Sequence, residues 1–282
     1  MTQNRKYEEG KVVNIELKDL VEFQDSPFKV KMDYDMEELI ESISEFGILI
    51  PLLVRKIAND KYEIISGHRR FFALSQLEIL SVPAIVESNM SDEDAIICMI
   101  DANLHREKIS YSEKAYAYKK KYEAIKRKNG RKKGGQIDHQ KGKKTIQIMA
   151  ENAEESAKKI QRYIKITELI PELLDLLDKG VLSFTPAEQL AYIKKEEQKM
   201  FLEAMDYCQV SPSFSQAQMI KKLSNEKKLT IEKMEEILGE VKKGEIQRVE
   251  FKNEVLHQFF PKSYTAEMMK KEILELLKKN MR

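Results

Sequence analysis

A histidine and two arginines follow a glycine in the stretch "YEIISGHRRFFALSQL", residues 62–77. The residues before Gly67 alternate as in a strand, and those after it have helical spacing. Gly67 leaves the backbone open to a ligand, and free amides at a helix start favour an anion. Arg69 and Arg70 add donors that match phosphate oxygens. The pattern predicts a phosphate site; the alternative is that both arginines are solvated surface residues.

Two further polar clusters precede and follow this stretch. In "IDANLHREKIS", Asn103, His105 and Arg106 lie between an apolar helix and a new capped helix. Polar groups at such a junction can meet a ligand or magnesium, or serve only as caps and surface ion pairs. In "EFGILIPLLVR", Gly47 and Pro51 bracket a loop that leads into a strand. By itself this loop indicates only turn chemistry.

The elements around these clusters mix strands with helices. Period-two patterns predict strands near residues 13–17, 52–57, 62–65 and 82–87. The stretch "DMEELIESISEFG" has helical spacing, which predicts a helix with Asp35 as N-cap and Gly47 as its stop. A capping box at Ser91 opens another helix, and from Ser110 onward strand signals nearly vanish. The fold class is therefore α+β: a small mixed α/β domain over residues 10–108, then an all-α domain over 109–202 and a mostly helical C-terminal region over 203–282.

A strongly basic segment crosses the start of the helical part. Residues 119–144 contain twelve Lys and Arg against two acidic residues, although the whole chain has a net charge of only +2. "KRKNGRKKGGQIDHQKGKK" lacks apolar periodicity and predicts an exposed basic loop over 126–144. "KTIQIMAENAEESAKKIQRYIKI" then predicts two short helices and a turn, a helix-turn-helix at about 145–166. A solvated pair of charged helices is the alternative.

The helix-turn-helix interpretation assigns DNA contacts to the second helix and to the basic loop. Side chains that point outward from this helix would enter the major groove, and the loop cations would neutralise phosphates. The expected DNA-binding residues are Ser156 (also the N-cap), Lys158, Lys159, Gln161, Arg162 and Lys165 on the helix, and Lys132, Lys133, Lys143 and Lys144 in the loop.

Composition argues against several other functions. No apolar run approaches the length of a membrane span, so we expect no membrane partner and a cytoplasmic location. Cys98 and Cys208 lack CxxC spacing, and the four histidines form no metal-binding pair. Amphipathic helices at 230–243 and 265–280 can either pack within the domain or pair two copies of the chain.

The ordered set of these motifs resembles the ParB family of DNA-partition proteins over roughly residues 10–195. "LIESISEFGILIPLLVR", "YEIISGHRRFFAL" and "DANLHRE" are similar to that family's three N-terminal boxes, in the same order and at about the same spacing. The helix-turn-helix segment and "LLDLLDKGVLSFTPAEQLAYI" look like its central DNA-binding domain. Each box is weak alone, whereas the ordered set is specific.

The resemblance implies a site for CTP with Mg²⁺, a palindromic double-stranded DNA site and a homodimer that closes as a clamp. It also implies a partition ATPase as partner and a location on the nucleoid or a plasmid. The implied nucleotide-binding residues are Gly47, Pro51, Gly67, His68, Arg69, Arg70, Asn103 and Arg106. Asp101 and Asn103 are the implied metal ligands, together with the nucleotide phosphates.

Three departures from the family pattern bear on catalysis. His68 and Ala102 stand where the family usually has glutamate, and His105 stands where it usually has glutamine. Losing carboxylates removes hard oxygen ligands, so nucleotide binding is expected with at most a weak CTPase activity. The expected function is sequence-specific DNA binding for plasmid or chromosome partition. The alternatives are a ParB-like kinase or nuclease, or a transcription regulator on the same fold; a sulfiredoxin-like reaction lacks its cysteine.

Overall fold

The computed structural model describes residues 11–106, 109–131, 139–151, 153, 155–240, 256, 259–261 and 263–280. For 130–131, 139–144 and 277–280 it describes the backbone alone. The chain divides into two compact units, Met1–Gly239 and Glu240–Arg282. The first unit holds a sheet domain and a helical domain. Among the described residues of the second unit is a long helix, α12 (Ala266–Asn280).

The sheet domain contains five strands in the order β1-β5-β3-β4-β2. The β1–β5 and β3–β4 pairs are antiparallel, whereas β5–β3 and β4–β2 are parallel. Their bounds are β1 (Val12–Glu16), β2 (Leu20–Val21), β3 (Leu52–Lys56), β4 (Tyr62–Ser66) and β5 (Ser81–Glu87). The α+β class and the predicted hairpin of β3 and β4 are confirmed, and β2 is an addition.

Three helices accompany the sheet: α1 (Tyr34–Phe46), α2 (His68–Gln76) and α3 (Asp92–Leu104). The predicted N-cap of α1 is wrong, because Asp33, in extended conformation, accepts the Met36 amide at 3.0 Å while Asp35 already lies in the first turn. Gly47 ends this helix as expected, with φ +70°. Ser91 caps α3 by accepting the Asp94 amide at 3.1 Å.

Consecutive residues of β4 bury opposite faces of the sheet, as the period of two requires. Ile64 belongs to a core with Met36, Leu52 and Leu74, which packs α1 and α2 on one face. The next residue, Ile65, packs against a second cluster that includes Phe28, Met99, Ile100 and Ala117. This second core joins the sheet to α3 and to the first helix of the helical domain.

The helical domain begins with α4 (Tyr111–Arg131) and α5 (His139–Glu151). The predicted basic loop over 126–144 is therefore wrong at both ends: 126–131 continue α4 and 139–144 open α5. Lys and Arg are good helix formers, so a run of them extends a helix that its neighbours have begun. Residues 132–138 lie outside the described residues.

The later helices share one hydrophobic core with α4 to α6. Buried Met149, Ile160, Leu173, Phe201 and Met234 all belong to it. The predicted domain boundary at 202–203 falls inside α9, so the helical domain extends to Gly239 instead. These helices are α6 (Ala157–Ile166), α7 (Pro171–Asp178), α8 (Phe184–Leu190), α9 (Lys195–Cys208), α10 (Phe214–Asn225) and α11 (Ile231–Gly239).

The amphipathic segments predicted at 230–243 and 265–280 correspond to α11 and α12. In α11, Met234, Ile237 and Leu238 are buried in the helical core, which supports internal packing for this helix. A pairing of two copies through α12 stays a prediction. Within the described ranges, no helix combines the length and apolar character that crossing a membrane requires.

Candidate functional site

Gly67 turns the chain from β4 into α2. Its φ of +108° is unfavourable for any residue with a side chain. A Cβ at this position would lie 2.8 Å from Leu52 Cγ and 3.2 Å from Arg70 Nη2. The glycine is therefore required by neighbouring side chains of the same domain, beyond any need for room around a ligand.

A cavity of about 330 Å³ opens beside the start of α2. Its walls come from the loop before α1, from α2 and from the junction of α3 with α4. The lining residues are Phe28, Lys29, Lys31, Asp33, Arg69, Arg106, Ile109, Ser110 and Glu113. Four of these are basic and two are acidic, so the cavity favours an anion. The structure thus brings Arg69 and Arg106 together, 37 positions apart in the sequence.

The two arginines of this cationic cavity sit close enough to repel each other. Burial, and then the positive charge of Arg69, lower the pKa of Arg106, while Glu113 acts in the opposite direction. Arg106 also stacks over Phe28, with its Cζ 5.7 Å from the ring centroid. Arg69 Nη2 lies 3.3 Å from Asp33 Oδ1. A phosphate between the guanidinium groups would offset their repulsion and accept hydrogen bonds from both.

The loop that carries Lys29 and Lys31 is held in place by α4. Glu113 accepts the Lys29 amide and the Ser110 amide, each at 3.1 Å. Lys120 donates to the carbonyl oxygen of Asp25. Sequence reasoning missed this wall because the loop has no periodic pattern and its anchors lie 84 and 95 positions away. Its two lysines were the one available signal.

Arg70 has a different role from Arg69. Its Nη1 donates to the carbonyl oxygens of Ile50 and of Pro51, the latter at 2.9 Å. Burial lowers its pKa. Arg70 therefore fixes the loop from Gly47 to Pro51 against α2. Gly47, Pro51 and Arg70, all predicted to bind the nucleotide, are not among the residues that line the cationic cavity.

His68 is the first residue of α2 and is only 8% exposed. Its Nε2 has no hydrogen-bond partner within the described part of the chain. Burial, and then the charge of Arg106, lower the pKa of His68 to about 4, so the imidazole is neutral at pH 7. A neutral imidazole does not replace the carboxylate oxygens that magnesium prefers.

Asp101 and Asn103, the predicted metal ligands, are not brought together. Residues two apart on a helix point to roughly opposite sides. Asn103 is buried and its Nδ2 donates to the Met99 carbonyl oxygen at 2.7 Å, whereas Asp101 is ion-paired with Lys121. Among the residues that the structure describes, no group of three or more His, Cys, Asp and Glu is placed to hold a metal. The residues present therefore do not fit a magnesium site of their own.

The predicted helix-turn-helix corresponds to α5 and α6. Ser156 caps α6 as expected, because its Oγ accepts the Lys159 amide at 3.3 Å. On α6, Ile160, Tyr163 and Ile166 face the core. Lys158, Lys159 and Gln161 are exposed.

Arg162 and Lys165 contact α8 and the segment after it, contrary to the expectation that they point to solvent. Arg162 Nε lies 2.6 Å from Glu188 Oε2, and its Nη2 donates to Thr185 Oγ1 at 3.1 Å. Its guanidinium also covers the Phe184 ring. The Nζ of Lys165 lies 4.4 Å from the centroid of the Tyr192 ring. Arg162 thus stabilises the packing of α6 on α8.

The DNA contacts predicted for Lys132, Lys133, Lys143 and Lys144 concern side chains that the structure does not describe. Lys132 and Lys133 lie outside the described residues. Lys143 and Lys144 belong to α5, where the structure describes the backbone alone. Their contacts with DNA stay predictions.

The first turn of α4 joins the cationic cavity to the turn of the helix-turn-helix. Glu113 lines the cavity, and the next residue, Lys114, lies 2.6 Å from Glu155. Glu155 also pairs with Lys159 at 2.8 Å. Two ion pairs thus connect the first turn of α4 with the first turn of α6.

These features define a protein with a cation-lined cavity in a mixed α/β domain, followed by a helical domain that contains the helix pair α5 and α6. Residues 1–104 match the family model described as the ParB N-terminal domain. The resemblance drawn from the three N-terminal boxes is confirmed for this part of the chain.

The nucleoid occlusion protein of Lysinibacillus sphaericus is 37% identical over 109 residues, which cover 39% of this chain and 36% of that relative. The chain thus matches about a third of the length of such curated relatives. A solved structure of C-terminally truncated ParB from Caulobacter crescentus, complexed to the centromeric parS site, is 19% identical with a TM-score of 0.45 and covers 80% of this chain and 98% of its own. Another structure of the same truncated Caulobacter protein, complexed with CTP-γ-S, is 23% identical with a TM-score of 0.32. This match covers 64% of the present chain and 92% of the Caulobacter chain.

Proposed function

We propose that this chain is a sequence-specific DNA-binding protein of plasmid or chromosome partition whose N-terminal domain responds to a nucleotide. The observation that carries the proposal is the combination of two parts in one compact unit. A ParB N-terminal domain with a cation-lined cavity is joined to a helix-turn-helix whose second helix exposes cations. Association with the nucleoid or a plasmid, and a partition ATPase as partner, follow from this proposal.

In the proposed complex α6 lies in the major groove of double-stranded DNA. Exposed Gln161 has the amide that reads an adenine edge, while Lys158 and Lys159 carry charges for phosphates. Two copies of the chain would read the two halves of a palindrome, because the symmetry of the site mirrors that of a homodimer.

The proposed nucleotide is CTP, with its phosphates between Arg69 and Arg106. The choice of cytidine rests on the family whose model residues 1–104 match and on the CTP analogue named for the Caulobacter protein. The electrostatic part of the proposal rests on the net positive lining of the cavity. No step of the proposal is routed through magnesium, because Asp101 and Asn103 of α3 make separate contacts and are not brought together as ligands.

Turnover of the nucleotide is proposed to be slow. Neutral His68 and apolar Ala102 offer no carboxylate to orient an attacking water at positions where the family usually has one. The nucleotide would then act by binding, with at most a weak CTPase activity.

The DNA assignment is tested by selecting bound duplexes from a random pool. Enrichment of one palindromic motif, lost in Gln161→Ala, supports sequence-specific binding through α6. Gln24→Ala is the matched control, because it makes the same change at an exposed glutamine in the turn after β2, in the sheet domain. Retention of the duplexes without any enriched motif contradicts the proposal.

The nucleotide assignment is tested by equilibrium titration with CTP. Arg69→Ala should weaken binding by about tenfold or more, since a charge-assisted contact to phosphate contributes ~1.5–3 kcal/mol. Arg127→Ala removes the same charge outside the cavity and should bind as the wild type does. An unchanged affinity of Arg69→Ala, or no binding by the wild type, contradicts the assignment.

A further inference from the structure

Two lysines from different helices converge on one tyrosine ring beside α6. The Nζ of Lys165, near the end of α6, lies 4.4 Å from the centroid of the Tyr192 ring, and the Nζ of Lys221, on α10, lies 3.5 Å from it. Lys221 also donates to Gln189 Oε1 at 3.1 Å. Tyr192 is 46% exposed. Lys165, Tyr192 and Lys221 are called the tyrosine–lysine cluster below.

The charges of the tyrosine–lysine cluster are not neutralised by the protein. Across the described ranges, neither Lys165 nor Lys221 has a carboxylate partner. The aromatic quadrupole attracts a cation only weakly at an exposed site and leaves its charge in place. The cluster therefore keeps two positive charges and has the electrostatics of an anion site.

The position of the cluster indicates which anion. Lys158, Gln161 and Lys165 follow each other at three and four residues on α6 and therefore share one face. A helix that enters the major groove has a sugar–phosphate backbone on each side of it, and neighbouring elements contact phosphates rather than bases. The cluster adjoins the C-terminal end of this face and extends it by one further helix, α10.

We propose that the tyrosine–lysine cluster binds a backbone phosphate of duplex DNA beside the groove that α6 enters. This inference rests on the proposed function of α6 and adds a contact outside the helix-turn-helix. Lys165 and Lys221 supply the charge, and the Tyr192 hydroxyl is a further donor to a phosphate oxygen. Because phosphate contacts carry no sequence information, the cluster strengthens binding to every duplex and orients α6.

The test uses Lys221→Gln, which removes one charge while the amide can still bond Gln189. Lys222→Gln is the matched control: it is the next residue, exposed, and makes the same change of net charge outside the cluster. Binding of a fluorescently labelled duplex of arbitrary sequence is followed by anisotropy over a series of salt concentrations. Lys221→Gln should bind roughly three- to tenfold more weakly, with a salt slope smaller by about 1, while Lys222→Gln should match the wild type.

The outcomes separate this inference from the proposed function. If the wild type binds the duplex and Lys221→Gln keeps its affinity and slope, the cluster does not contact phosphate, although α6 still does. Equal losses in both variants would mean a general effect of net charge, which also contradicts the cluster. If Lys221→Gln instead loses binding to polyglutamate but not to DNA, the partner is an acidic peptide. Failure of the wild type to bind any duplex removes the proposed function itself.

Discussion

The buried histidine at the start of α2 predicts an unusual dependence of stability on pH. In the unfolded chain His68 takes up a proton near its ordinary pKa of 6.5, whereas burial and Arg106 lower its pKa to about 4 in the folded domain. Between these values the unfolded state binds more protons than the folded state. The free energy of unfolding therefore falls as the pH drops from about 6.5 to about 4, and rises again with pH.

The size of this effect follows from the shift. A shift of one pKa unit corresponds to about 1.36 kcal/mol, so His68 removes about 3 kcal/mol of stability between neutral pH and about pH 4. This is a large part of the ~5–15 kcal/mol that holds a typical domain together. His68 is 8% exposed, so solvent screening reduces the figure little.

The assay is urea unfolding at a series of pH values for the wild type and His68→Gln. The glutamine keeps a polar side chain but does not titrate, so the difference between the two curves isolates the histidine from the carboxylates that titrate near pH 4. We expect this difference to change by about 3 kcal/mol across the interval. Parallel curves, or a His68 resonance that titrates near pH 6.5 in the folded protein, would refute the reasoning.

Two further substitutions test the turn into α2 and the link between α4 and the helix-turn-helix. Gly67→Ala should lower the free energy of unfolding by roughly 2–5 kcal/mol, because φ is positive and the new Cβ would lie 2.8 Å from Leu52 Cγ. Gly180→Ala, with φ +74° and open space around the new Cβ, should lower it by only ~1–2 kcal/mol. Urea midpoints of the two variants test this difference. Burial acts to raise the pKa of Glu155, but hydrogen bonds from Lys114 and Lys159 outweigh burial and lower that pKa. The ionised carboxylate therefore stabilises the fold above pH 4.5, and this stabilisation is lost as the pH falls further. In Glu155→Gln the free energy of unfolding should therefore depend less on pH below pH 4.5 than in the wild type. An equal dependence on pH in the two proteins would contradict the link.

Local signals were enough to predict much of the fold. The hairpin of β3 and β4, the stop at Gly47 and the caps at Ser91 and Ser156 each depend on residues within a few positions of one another. The basic segment differs from its prediction: its glycines and missing apolar periodicity predict a loop, whereas helix propensity and the preceding turns of α4 extend the helix to Arg131.

The candidate site was harder to predict because its geometry depends on distant contacts. The motif Gly-His-Arg-Arg located the turn at the cavity but did not distinguish the roles of its two arginines. Arg69 lines the cavity, whereas Arg70 donates to the Ile50 and Pro51 carbonyl oxygens. Those directions are set by tertiary packing, which adjacent residues do not reveal. Likewise Arg162 pairs with Glu188, 26 positions away, where helical spacing alone predicted exposure.

Genome-wide mapping of the DNA that co-precipitates with the chain tests the central claim most directly. If the chain is a partition protein with a nucleotide-responsive N-terminal domain, the bound DNA should centre on a palindromic site and spread over kilobases around it, and Arg69→Ala should abolish the spreading while keeping the central peak. Isolated peaks at promoters without spreading in the wild type would contradict the claim and indicate a transcription regulator instead.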